Sequence, residues 1–118
     1  EPGNPALAII MFLEASLSVL LEVGIGRIEE HARDLSQMIS QGLEELGLEV
    51  ITPQQRHQRS GNTCFLDRNA EETRKRLEKQ NVLIWGEYGR VRVSGHLYNS
   101  SADVSCLLDA LRWVREQG

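Results

Sequence analysis

The sequence predicts an α+β domain: a small, mostly antiparallel sheet of about four strands with helices packed on one face, entered through two N-terminal helices. Three observations predict it. Two long stretches with helical spacing come first, separated by Gly24-Ile25-Gly26. Short alternating apolar runs begin only after Gly47 and are interrupted by one charged helical segment. Two β-rich runs then bracket Gly86-Glu87-Tyr88-Gly89, a hairpin signal, just before a last amphipathic stretch. A ferredoxin-like regulatory module needs a βαββαβ order. Two successive opening helices do not fit it.

Helical pattern starts near Pro5, a residue suited to a first helical turn. From Ala6 to Leu13 the helix is apolar on every side, and beyond Glu14 it becomes one-sided, with Leu17, Leu20, Leu21 and Val23 inward. A helix apolar all round has to be buried all round. A domain this small seldom covers a whole helical circumference, so this start is expected to pack on protein outside the chain. Gly24 and Gly26 break the helix; with no strand before them and no third glycine, they do not make a dinucleotide loop. The next helix carries the stripe Ile28, Ala32, Leu35, Ile39, Leu43 and Leu46, and Gly47 stops it. His31 lies at the edge of that stripe with no second ligand placed to join it, and reads as a surface residue.

Leu48 to Thr52 alternates as a strand and ends at Pro53. A polar loop, Gln54 to Gly61, leads to a strand around Thr63 to Leu66. Asn69 with Glu72 three positions on has the form of a helix N-terminus, anchored by Leu77 and ending near Asn81. Its charged majority reads as a solvated face. Val82 to Trp85 and Arg90 to Ser94 form the hairpin, with Gly86 to Gly89 as its turn. Ser100 and Asp103 form a capping box that starts the final helix. Its core stripe is Val104, Leu107, Leu108, Leu111 and Val114, with Cys106 and Trp113 on the other side.

Composition narrows the function classes. At 118 residues the chain is one domain with enough length for a core. A net charge of −4 and a pI near 5.4 argue against nucleic-acid or anionic-membrane partners. The short basic cluster Arg56-His57-Gln58-Arg59 has no interleaved aromatics and reads as a solvated loop. Cys64 and Cys106 lack zinc or redox spacing, and Cys64 reads as a buried small hydrophobe; no metal site is expected. Nothing points to an oxidising compartment, so a cytoplasmic location is expected. The apolar run ending at Glu14 is too short to span a bilayer and lacks a signal peptide's basic start.

The run from Arg90 to Asn99 concentrates the candidate chemistry. Side chains alternate along a strand, so Val91 and Val93 share one face and Arg90, Arg92 and Ser94 the other. A planar guanidinium on a stiff scaffold suits forked recognition of a carboxylate or phosphate. On the strand pattern alone, Arg92 as a solvated residue on the wet face of the sheet is the simpler account. His96 follows the strand and is a candidate contact for substrate, although a structural role beside a helix cap is again simpler. Tyr98 is expected to pack on the final helix. The three histidines have no spaced acidic partners, so no hydrolytic triad is present.

Arg92-x-Ser94, three residues, then Tyr98-Asn99 before a terminal helix resembles the end of the small C-terminal domain of class V pyridoxal-phosphate (PLP) enzymes. These include fold-type-I aminotransferases, cysteine desulfurases and epimerase-like proteins. The opening Glu1-Pro2-Gly3-Asn4-Pro5 is similar to the family's Glu-x-Gly-Thr-Pro segment, and the likeness covers nearly the whole chain. It implies that Arg92 holds the α-carboxylate of an amino-acid substrate. It also implies that Gly3 and Asn4 lie near the cofactor phosphate across a homodimer interface, Asn4 standing where the family has threonine. The chain, which opens without a methionine, is then expected to be the C-terminal part of a longer enzyme. Residues 1–23 would be packed on its large PLP-binding domain, and 24–118 would form the small-domain body.

PLP chemistry needs a Schiff-base lysine. The chain has only Lys75 and Lys79, in a charged helix with no apolar pocket to depress a lysine pKa. It is therefore expected neither to bind PLP nor to catalyse by itself, contributing substrate positioning instead. Desulfurases in this family carry their cysteine on a loop between the last two strands. Gly86 to Gly89 holds no cysteine and leaves no room for one, which disfavours persulfide chemistry. The rival reading is a non-catalytic small α+β ligand-binding or regulatory module.

Overall fold

The structure, a computed structural model, describes residues 6–117; Gly3 and Asn4 lie outside them. The elements are α1 (Leu7–Val23), α2 (Ile25–Glu45), a 3-10 turn (Arg56–Gln58), β1 (Asn62–Leu66), α3 (Ala70–Glu78), β2 (Trp85–Glu87), β3 (Arg90–Ser94) and α4 (Ser101–Glu116). The α+β class, the two opening helices and the antiparallel sheet are as expected. The sheet has three strands, in the order β1-β3-β2.

The missing fourth strand is the stretch 48–52. It lies along β1 through one bridge, Val50 to Phe65, with Leu66 N–H donating to the Glu49 carbonyl and Ile51 N–H to that of Cys64. Its ladder ends there because the Thr52 hydroxyl accepts the Cys64 N–H at 2.7 Å and Pro53 has no N–H to donate. The hairpin is also tighter than expected. Trp85 to Glu87 are strand, and the turn is Tyr88-Gly89 alone, with φ of 53° and 72°. Two successive positive φ values match the right-handed twist of the strands.

The core lies between the sheet and α2, α3 and α4. Leu35, Ile39 and Leu43 of α2 meet Phe65 of β1, Val91 and Val93 of β3, and Val104, Leu107 and Leu111 of α4. Burying one such side chain contributes about 1.5–3 kcal/mol. The Ser36 and Thr63 hydroxyls, 2.9 Å apart, satisfy each other where α2 crosses β1. At Gly86 the strand presses so closely on α3 that a Cβ would sit 2.6 Å from the Ala70 carbonyl oxygen. That contact fixes β2, and so the hairpin, against the helix.

Helix α3 starts where expected, but Asn69 is not its side-chain cap. Asp67 fills that role, accepting from the Asn69 N–H at 2.8 Å and from the Thr73 hydroxyl. The capping box of α4 is present. Asp103 accepts from the Ser100 N–H at 2.7 Å and from its hydroxyl. Those bonds, led by the backbone one, hold the Asp103 carboxyl below the usual aspartate range. A group with a depressed folded pKa stabilises above its unfolded pKa and loses that contribution as pH falls through the folded value. An NMR titration of the Asp103 carboxyl is expected to have its midpoint below the ordinary aspartate value. In Ser100→Ala, which keeps the backbone N–H and loses only the hydroxyl, the midpoint is expected to move part of the way up toward that value; no movement would contradict the hydroxyl's share in the shift.

Helix α1 stands apart. None of its residues is buried, and Phe12 and Leu21 are each 73% exposed. It meets α2 at a bend of 80° at Gly24. The radius of gyration is accordingly 17.2 Å, against about 13–14 Å for a compact domain of this length. No single helix among the described residues is long and apolar enough to cross a membrane.

Candidate functional site: the open face of the sheet

Alternation divides the sheet into a covered and an open face. Thr63, Phe65, Gly86, Val91 and Val93 point toward the helices and are buried. The open face carries three cross-strand rows, with Arg92 at the centre of the middle one. Arg92 lies between Cys64 on β1 and Trp85 on β2, Arg90 lies between Leu66 and Glu87, and Ser94 pairs with Asn62. This placement makes Cys64 a half-buried residue of the open face. The buried reading of it fails because Thr63 and Phe65 take the inward positions of β1.

The Arg92 side chain is exposed, and its guanidinium carbon lies 5.4 Å from the centre of the Trp85 ring. Within that distance a cation is attracted by the negative face of an indole. The ion pairs among the described residues use Arg33, Arg56, Arg74, Arg76 and Arg112. Arg92 has none, and its fork of N–H donors remains available to an external acceptor.

Beyond β3 the chain turns tightly. His96 N–H donates to the Asn99 side chain at 3.0 Å, and Asn99 N–H to the His96 carbonyl at 3.0 Å. The His31 ring bonds the Asn99 carbonyl at 2.8 Å, so His31 is a structural tie between α2 and this turn. The His96 imidazole is exposed and stacks on Tyr98, ring centres 4.7 Å apart. Tyr98 does not pack on α4; it is 77% exposed, because the turn directs it outward onto His96.

Arg59 departs from the solvated-loop reading. It is 6% exposed, with its guanidinium donating to the carbonyls of Pro53, Gln54 and Ser36 and to the Gln54 side chain. Four carbonyl oxygens satisfy a fork that has no carboxylate partner, and they hold the loop onto α2. On the helix side, a cleft of about 210 Å³ lies between α2, α4 and the lead-in to β2, lined by Leu35, Ile39, Val82, Val93 and Leu107. Arg92 is not part of it. No group of three or more His, Cys, Asp or Glu side chains among the described residues could hold a metal ion.

Trp85 was not foreseen as part of the site. The signal for it is the hairpin arithmetic: a two-residue turn at Tyr88-Gly89 places Trp85 directly opposite Arg92.

No family model matches the chain. It is 26% identical over 111 residues to an uncharacterized aminotransferase of Bacillus subtilis, covering 94% of this chain and 30% of that protein. It is 30% identical over 112 residues to an uncharacterized protein of Schizosaccharomyces pombe, covering 95% of this chain and 26% of that one. In fold it is similar to a cysteine desulfurase from Thermococcus onnurineus, with a TM-score of 0.91 at 22% identity over 100% of this chain and 33% of that one. The cysteine desulfurase CsdA from Escherichia coli is similar too, with a TM-score of 0.86 at 20% identity, over 99% of this chain and 32% of that one. The chain thus spans about a third or less of the length of the proteins it matches. The resemblance is borne out: relatives in sequence include proteins named as aminotransferases, and the neighbours in fold are cysteine desulfurases.

Proposed function

We propose that this chain is the C-terminal small domain of a class V PLP-dependent enzyme acting on an amino acid, and that Arg92 binds the substrate α-carboxylate. The observation that carries the proposal is the Arg92 guanidinium itself: on the helix-free face of the sheet, over Trp85, with no ion pair among the described residues. A carboxylate fits that fork with two parallel N–H···O bonds. An arginine stays protonated at any physiological pH, so its part is to bind and orient, not to move protons.

When bound to an enzyme of this kind, PLP acts as an electron sink for carbanion chemistry. The residues present here do not fit that group. Lys75 on α3 and Lys79 just past its end are both exposed, among Glu71, Glu72 and Glu78. Among the described residues, the contribution stops at the substrate. Helix α1, apolar and uncovered, is the surface we assign to contact with the large domain. A homodimer with Gly3 and Asn4 near the cofactor phosphate, a cytoplasmic location, and His96 as a second substrate contact complete the proposal.

Within the family we favour transamination or a related amino-acid reaction over desulfuration. The turn between β2 and β3 is two residues long and carries no cysteine, while Cys64 sits in mid-strand, where it has no loop to swing on. The test is a comparison of an L-amino acid with the amine that lacks its carboxylate, both offered to the full-length protein. Replacing Arg92 is expected to weaken the first and leave the second unchanged.

A further inference from the structure

We infer that Trp85 is a positioning residue for Arg92, holding the guanidinium in the orientation from which it takes a carboxylate; this rests on the reading of Arg92 given above. Trp85 stands directly across the β2–β3 ladder from Arg92. Its ring lies 5.4 Å from the guanidinium carbon, and among the described residues that group makes no side-chain ion pair. The indole is 38% exposed and lies on the face away from the helices, so the core does not explain it.

An unsupported arginine carries rotamer entropy that binding must offset. An aromatic face beneath the guanidinium removes part of that cost before the ligand arrives. It leaves the edge of the fork, where the N–H bonds point, clear for a planar acceptor. Cys64 on the other flank is short and offers no competing charge acceptor. The geometry leaves the fork open to an oxyanion acceptor, of which the α-carboxylate of the proposed substrate is one.

The experiment measures binding of the twenty common L-amino acids to the full-length protein by titration calorimetry. The variants are wild type, Trp85→Ala, Trp85→Phe, Arg92→Ala and the double variant Trp85→Ala/Arg92→Ala. For the amino acid bound best, Trp85→Ala is expected to weaken affinity about 3- to 10-fold. Trp85→Phe, which keeps an aromatic face, is expected to stay within about 2-fold of wild type. In the Arg92→Ala background the Trp85 change is expected to add nothing, since its effect acts through the guanidinium. If Arg92→Ala weakens binding and Trp85→Ala does not, the Trp85 role is overturned while that of Arg92 stands. Equal losses from Trp85→Ala in both backgrounds overturn it too, as the mark of a structural residue. If Arg92→Ala changes nothing, or no amino acid binds, both assignments fall.

Discussion

Replacing Arg92 by alanine is expected to weaken L-amino-acid binding to the full-length protein by on the order of 2–5 kcal/mol. That is roughly thirty-fold to several-thousand-fold in Kd. The size follows from what is lost: two charge-assisted hydrogen bonds, and the partner of a carboxylate that has left water. The body of the domain should not notice. Arg92 forms no ion pair among the described residues and buries none of the core, so thermal stability is expected to hold within about 0.5 kcal/mol. Arg92→Lys keeps the charge without the planar fork and is expected to recover only part of the affinity. Calorimetric titration checks the two affinities, and thermal unfolding checks the stability. Unchanged affinity in Arg92→Ala contradicts the assignment, and a collapse of stability points to a structural arginine.

The second large effect is expected at Phe65. It is fully buried as the fourth residue of β1, opposite Val91 on one side and bridged to Val50 on the other. Phe65→Ala removes a ring that three elements close upon, at an expected cost of about 3–5 kcal/mol. That is a large share of the 5–15 kcal/mol that typically separates folded from unfolded states. Leu83→Ala serves as the control: Leu83 is 81% exposed, and its loss is expected to stay within about 0.5 kcal/mol. Urea unfolding followed by circular dichroism measures both. A Phe65→Ala loss below about 1 kcal/mol would place the core elsewhere.

The local signals that proved readable were those with a strong period or a self-contained hydrogen-bond pattern. The α2 stripe is one: Leu35, Ile39 and Leu43 are all buried. The Ser100/Asp103 box is another, and so is the alternation that faces Val91 and Val93 inward and Arg92 outward. Signals that depend on tertiary partners were misread. Arg59 counts as a loop cation in sequence, because the four carbonyls that bury it come from three separate positions, Ser36, Pro53 and Gln54. Asn69 has the right residue type for a cap, yet Asp67 reaches the helix start first. The hairpin shows how one boundary propagates. With Gly86 to Gly89 taken as the turn, Arg92 would face Leu83; the two-residue turn instead sets Trp85 there. The face was legible in the sequence and the partner was not.

One measurement bears most directly on the role of Arg92: a crystal structure of the full-length protein with an L-amino acid bound. The expected result is both carboxylate oxygens at about 2.7–2.9 Å from the Arg92 guanidinium nitrogens, with the guanidinium still lying over Trp85. A carboxylate held by another cation, with Arg92 turned to solvent, would contradict it.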